Sequence, residues 1–221
     1  MSAAEVPSES PQAPAPVRTT GRDSAGIFAY WPNRITAIRF VGALLLFAIL
    51  AWMGDRPPTE LFVPLAISFW LFILVASTDF VDGWLARRDG HVTTFGRIAD
   101  PFVDKVLVVG TFVFLAVLPW SQPFLPAWVV VVVLAREFLV TGIRGYAESQ
   151  GLEFGADRFG KFKMIVQCIA IGAMLGLHGI PWPTPLYEAV RLIAHVAVWG
   201  TLITTVGSGA TYVLKLQRMV S

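Results

Sequence analysis

The sequence predicts an all-α integral membrane protein, with six transmembrane helices around a polar cavity that faces the cytoplasm. Three observations lead there. Hydrophobic residues make up 55% of the 221 residues and charged ones only 14%, with a mean hydropathy of +0.64. A water-soluble domain of this length needs more polar surface. Several apolar runs approach the roughly 20 residues that a helix needs to cross a bilayer core. They are continuous rather than alternating, which argues against a β-barrel. Finally, one polar stretch between two such runs, Asp79 to Lys105, holds four carboxylates: Asp79, Asp82, Asp100 and Asp104. Acids at membrane depth are expensive unless neutralised, so the stretch reads as a functional site.

The elements follow in order. Residues 1–26 are rich in Ala, Pro and Ser and lack the apolar core of a secretory signal, so they read as a disordered cytoplasmic tail. Residues 27–34 carry Ile27, Phe28, Tyr30 and Trp31, which suits either an interfacial anchor or a loop packed on the membrane domain. The membrane domain covers 35–215. Its spans are expected over 35–53, 60–77, 103–118, 127–143, 164–177 and 189–214. Arg39, in the first turns of the first span, either snorkels to the interface or points inward at an anionic ligand. Arg136 and Glu137 interrupt the fourth span, and a basic loop with Arg144, Arg158, Lys161 and Lys163 is expected after it. Basic segments alternate with nearly uncharged loops, so the positive-inside rule puts both termini and the acidic stretch on the cytoplasmic side of the cell membrane. A net charge of +2 is too small to argue for nucleic-acid binding, and the single Cys168 excludes an intrachain disulfide.

The acids are spaced i, i+3 and i, i+4, so each pair shares a face if the segment around it is helical. Clustered carboxylates suit hard cations, Mg²⁺ or Mn²⁺. Four of them suit two ions about 3.5–4 Å apart that bridge the oxygens of a diphosphate. Gly83 and Gly96 let a backbone approach a ligand closely, and Arg87 offers a bidentate donor set to a phosphate. Asp104, one turn beyond Asp100, is the best placed general base for an attacking hydroxyl. The competing structural reading pairs the acids with Arg87, Arg88, Arg97 and Lys105 as a salt-bridged loop.

The stretch resembles the signature of the CDP-alcohol phosphotransferase family, Asp-x2-Asp-Gly-x2-Ala-Arg-x8-Gly-x3-Asp-x3-Asp. The matching positions are Asp79, Asp82, Gly83, Ala86, Arg87, Gly96, Asp100 and Asp104. The resemblance implies transfer of a phosphatidyl or similar group from a CDP-linked donor to an alcohol, with release of CMP, and a homodimer. It also implies that the first three aspartates ligate metal, that Asp104 serves as base and shares in ligation, and that Gly83, Ala86, Arg87 and Gly96 line the donor pocket.

Flanking segments are similar to those of the branch of this family whose acceptor is sn-glycerol 3-phosphate and whose donor is CDP-diacylglycerol. They are Pro32-Asn33-Arg34-Ile35-Thr36-x-x-Arg39, Asp100-Pro101-x-x-Asp104-Lys105, Ala135-Arg136-Glu137 with the later Arg144, and Gly160-Lys161-x-Lys163 with Gln167. Met164 stands where that branch often has Thr. By this likeness Asn33 and Thr36 join the donor site. Arg39, Arg136, Arg144, Lys161 and Lys163 are candidates for the acceptor phosphate, though ordinary positive-inside charge explains much of that basic segment as well. Other acceptors (phosphatidylglycerol, inositol phosphate or serine) stay open within the family. A cation transporter is the reading from another class, although its polar residues would be scattered over more spans.

Overall fold

A computed structural model describes the backbone of residues 31–89, 94–151 and 158–220, with side chains for 33–78, 99–151, 160 and 162–217. Six helices make up nearly all of it: α1 (Trp31–Met53), α2 (Phe62–Asp89), α3 (Thr94–Val117), α4 (Ala127–Ser149), α5 (Arg158–Gly179) and α6 (Thr184–Val220). Among the described residues there is no strand. The expected tail and the first residues of the juxtamembrane segment lie outside the described residues, while 31–34 form the first turn of α1.

The helices run longer than their apolar runs, and that changes where the polar residues sit. α2 continues for twelve residues past position 77, so the first acid pair lies on the same helix as the second apolar run. At about 1.5 Å per residue its 28 residues reach roughly 42 Å, well past a hydrocarbon core of about 30 Å. α3 begins at Thr94, so Asp100 and Asp104 are helical. The basic loop expected after the fourth span is a correction. Arg144 belongs to α4, which runs on to Ser149, while Arg158, Lys161 and Lys163 form the first turns of α5. These residues therefore take fixed register positions on helices.

The helices close into a ring whose order is not that of the chain: α1, α2, α5, α6, α4, α3 and back to α1, with α3 and α5 also touching across the middle. The main apolar core draws on all six helices and is centred on Leu46, Leu50, Leu65, Phe72, Phe112 and Ile171 of α1, α2, α3 and α5, with Val129 of α4 and Val198 of α6 joining it. There the end of α5 approaches the start of α2 so closely that a Cβ on Gly179 would lie 2.6 Å from the backbone of Leu65 and Ala66. Only glycine fits at that contact.

Large apolar side chains point outward on all six helices, for instance Ile38, Trp70, Val117, Phe138, Ile165 and Ile203. On a water-soluble surface that much exposed apolar area is a liability, whereas lipid tails cover it without penalty. Among the described residues three helices are long and apolar enough to cross a membrane, at Asn33–Met53, Phe162–Gly179 and Thr184–Gln217, and Phe62–Thr78 is a shorter apolar run. The apolar stretches of α3 and α4 are cut short by Asp100, Asp104 and Lys105 in one and by Arg136 and Glu137 in the other.

Candidate active site

The site is built on α3. Asp100 and Asp104 stand one turn apart, and α1 supplies their partners. Asn33, Thr36 and Arg39 lie along one buried face of α1. Thr36 donates its hydroxyl hydrogen bond to Asp100 Oδ1. Arg39 Nη1 donates to Asp104 Oδ1 at 2.6 Å, and its Nε reaches Thr78 Oγ1 of α2 at 3.4 Å. Arg39 therefore points inward, at 1% exposure, rather than snorkelling outward along the helix surface. A guanidinium this deep needs a charged partner, and Asp104 is that partner.

Asp79, Asp82, Gly83, Ala86 and Arg87 follow on the last turns of α2, and Gly96 lies in the first turn of α3. Their side chains are outside the described residues, as is that of Lys161. Among the described residues no group of three or more potential ligands is assembled. The donor chemistry nonetheless fits Mg²⁺ or Mn²⁺, since Asp100 and Asp104 are hard oxygen donors on one helix face. Thr36 also orients Asp100 as outer-shell groups orient metal ligands.

On the other side of α3 lies a cavity of about 230 Å³, walled by α3, α4, α5 and α6. Asp104 lines it too, so one carboxylate faces both the α1 side and the cavity. α4 presents a buried stripe of Val129, Val133, Val140, Ile143 and Ala147, with Arg136 and Glu137 set in its middle. Glu137 Oε1 accepts from Arg136 Nη1 at 3.1 Å and from Lys163 Nζ of α5. Arg136 also donates from Nε to Ser208 Oγ of α6 at 3.0 Å. All three charged groups are less than a tenth exposed. Farther along, Arg144 Nη2 donates to Tyr212 Oη at 2.6 Å, and Lys105 Nζ donates to Thr141 Oγ1 at 2.6 Å. Arg136, Arg144 and Lys215 all lie over the Tyr212 ring.

Of the expected phosphate-binding cations, the structure brings Arg136, Arg144 and Lys163 to this cavity, whereas Arg39 sits on the far side of Asp104. Lys105, Glu137, Gln167, Ser208 and Tyr212 join the site without being among the residues expected there from the sequence. Glu137 had a signal, an acid inside an apolar run. Ser208 and Tyr212 had none, because they arrive from α6, which follows α4 in the ring but not in the chain.

Comparison with known proteins agrees with the motif. A family model for CDP-alcohol phosphatidyltransferase matches residues 29–207. The CDP-diacylglycerol–glycerol-3-phosphate 3-phosphatidyltransferase of Bacillus subtilis is 35% identical over 193 residues, covering 83% of this chain and 93% of that protein. The protein of the same name from Rickettsia bellii is 29% identical over 182 residues, covering 82% of this chain and 92% of its own. With the motif on α2 and α3 and a family match over most of its length, the chain belongs to the CDP-alcohol phosphatidyltransferase family.

Proposed function

We propose that the protein transfers the phosphatidyl group of CDP-diacylglycerol to sn-glycerol 3-phosphate, giving phosphatidylglycerol phosphate and CMP by direct displacement. One observation carries the choice of acceptor: a small cavity rich in held cations opens onto Asp104, the last acid of the motif. Lys105, Arg136, Arg144 and Lys163 stand against Asp104 and Glu137 in its lining, an excess of two positive charges. A phosphate monoester brings about −1.5 to −2 at neutral pH. At about 230 Å³ the cavity falls below the roughly 300–1,000 Å³ of pockets for drug-sized ligands, which suits a three-carbon phosphate.

In this reading Asp104 accepts the proton of the 1-hydroxyl as its oxygen attacks the β-phosphorus in line. The bond from that phosphorus to the bridging oxygen breaks, and the electron pair leaves on CMP. Arg39 holds Asp104 in place. The main holders of the acceptor phosphate are Arg136, Arg144, Lys161 and Lys163. Asn33, Thr36, Gly83, Ala86, Arg87 and Gly96 receive the CDP moiety. Asp79, Asp82, Asp100 and Asp104 would hold two Mg²⁺ or Mn²⁺ ions, whose chemistry is to neutralise charge that grows on the diphosphate. No step calls for an enzyme nucleophile. All six helices would span the membrane, with both termini and the cavity on the cytoplasmic side and the chain paired as a homodimer.

The test is reconstitution. Purified protein with CDP-diacylglycerol, Mg²⁺ and radiolabelled sn-glycerol 3-phosphate is expected to form a labelled lipid and release CMP in equal amount. Turnover with inositol phosphate or phosphatidylglycerol in its place would overturn the acceptor while leaving the donor chemistry intact.

A further inference from the structure

Gln167 lies on α5 one turn beyond Lys163, so the two side chains share a helix face. It lines the cavity beside Asp104, Arg136, Arg144 and Tyr212. It is only 3% exposed, and its Nε2 has no hydrogen-bond partner among the described residues. The charged groups around it do have partners. Lys163 and Arg136 share Glu137, Arg144 has the Tyr212 hydroxyl, Lys105 has Thr141 and Asp104 has Arg39. Buried amide donors are rarely left unpaired in a folded protein, so a donor left over in a cavity wall points to something that enters the cavity.

The chemistry of the donor narrows what that is. An amide carries N–H groups without charge. In a cavity that already offers several cations, phosphate oxygens are drawn to the cations, where charge-assisted hydrogen bonds are about twice as strong as neutral ones. A neutral donor matches a neutral acceptor oxygen. Residues four apart on a helix stand about 6 Å apart along its axis, a separation that a short polyol phosphate spans from its phosphate to a carbon-borne hydroxyl.

We infer that Gln167 is the specificity-determining residue for the acceptor's secondary hydroxyl: its Nε2 donates to that oxygen while Lys163, one turn away, faces the phosphate. The inference rests on the proposed reading of this cavity as the acceptor site. It makes the protein selective for a phosphorylated polyol over a phosphorylated simple alcohol of equal length.

The experiment compares sn-glycerol 3-phosphate with 3-hydroxypropyl phosphate, which differs only in lacking the secondary hydroxyl, as acceptors for CDP-diacylglycerol. The wild-type protein is expected to prefer the first by roughly 10- to 100-fold in kcat/KM, the scale expected when a buried donor is left unpaired. Gln167→Met keeps an unbranched side chain of similar length and is expected to shrink that preference to within about threefold. The collapse comes from a raised KM for glycerol 3-phosphate, with 3-hydroxypropyl phosphate turnover and the donor KM unchanged. The 3-hydroxypropyl phosphate rate thus doubles as the control for folding, and Gln167→Asn, whose amide is one methylene short, is the second variant, with the same result expected. Equal losses with both acceptors, or a preference that survives in the variants, would overturn the inference by giving Gln167 a packing role only. A wild-type protein that uses both acceptors equally overturns the hydroxyl assignment and leaves the reaction standing. Turnover of some other alcohol with none of glycerol 3-phosphate overturns the acceptor reading and this inference together.

Discussion

Asp104→Asn is expected to lower kcat by at least about 100-fold and by as much as about 10,000-fold, the range that a positioned general base supplies, while the protein stays folded. The choice of asparagine follows from the geometry. Asp104 Oδ1 takes a 2.6 Å hydrogen bond from Arg39, and Arg39 is 1% exposed. Removing the side chain outright would strand a buried guanidinium, a change that typically costs about 3–5 kcal/mol. Asparagine keeps an oxygen at the contact and removes the basicity. CMP release at saturating donor and acceptor, read beside thermal unfolding in detergent, separates the two effects. A well-folded variant with kcat within tenfold of wild type would sink the assignment of Asp104 as base. A loss of activity that merely tracks loss of folded protein would make the Arg39 contact a structural one.

The second large effect is expected at Glu137, and on stability. Its Oε1 serves both Arg136 and Lys163, and the three groups are buried together between α4 and α5. Glu137→Leu leaves two buried cations with no acceptor between them, so a loss of about 3–5 kcal/mol is expected. Lys163→Met on top of it removes one stranded charge and fills its volume. The double variant is therefore expected to regain a measurable part of the loss, as coupled neighbours do. Its KM for glycerol 3-phosphate should nevertheless rise, because a phosphate-facing cation is gone. Additive losses in the double variant would show that Glu137 and Lys163 are not coupled.

How far these residues could be read in advance depended on whether their partners were near in sequence. The motif acids, the inward option for Arg39 and the break at Arg136 and Glu137 are local patterns, and each was legible. The boundaries were not. Apolar runs mark what lipid covers, whereas the helices continue wherever backbone hydrogen bonds can, which carried α2 through Asp89 and put Lys163 on α5. Pairings across the ring were not legible either. Arg144 meets Tyr212 from 68 residues away, and Lys163 meets Glu137 across 26. Such contacts depend on α4 lying beside α6 and on α5 reaching α4 across the ring, an order that no local pattern encodes. Gln167 is the sharpest case, since its spacing after Lys163 is a local pattern but its unpaired Nε2 exists only once the walls around it are assembled.

Asp104 touches Arg39 on one side and the cation-lined cavity on the other, so α3 is a shared wall rather than the floor of a single pocket. Two substrates that approach one carboxylate from opposite sides have no need to exchange places. Under the proposed reaction both must be bound before either product forms. Initial-rate plots at varied donor and acceptor should therefore intersect rather than run parallel, with CMP competing against CDP-diacylglycerol but not against glycerol 3-phosphate. Parallel lines would mean that the phosphatidyl group rests on the protein between two half-reactions, and that the wall divides nothing.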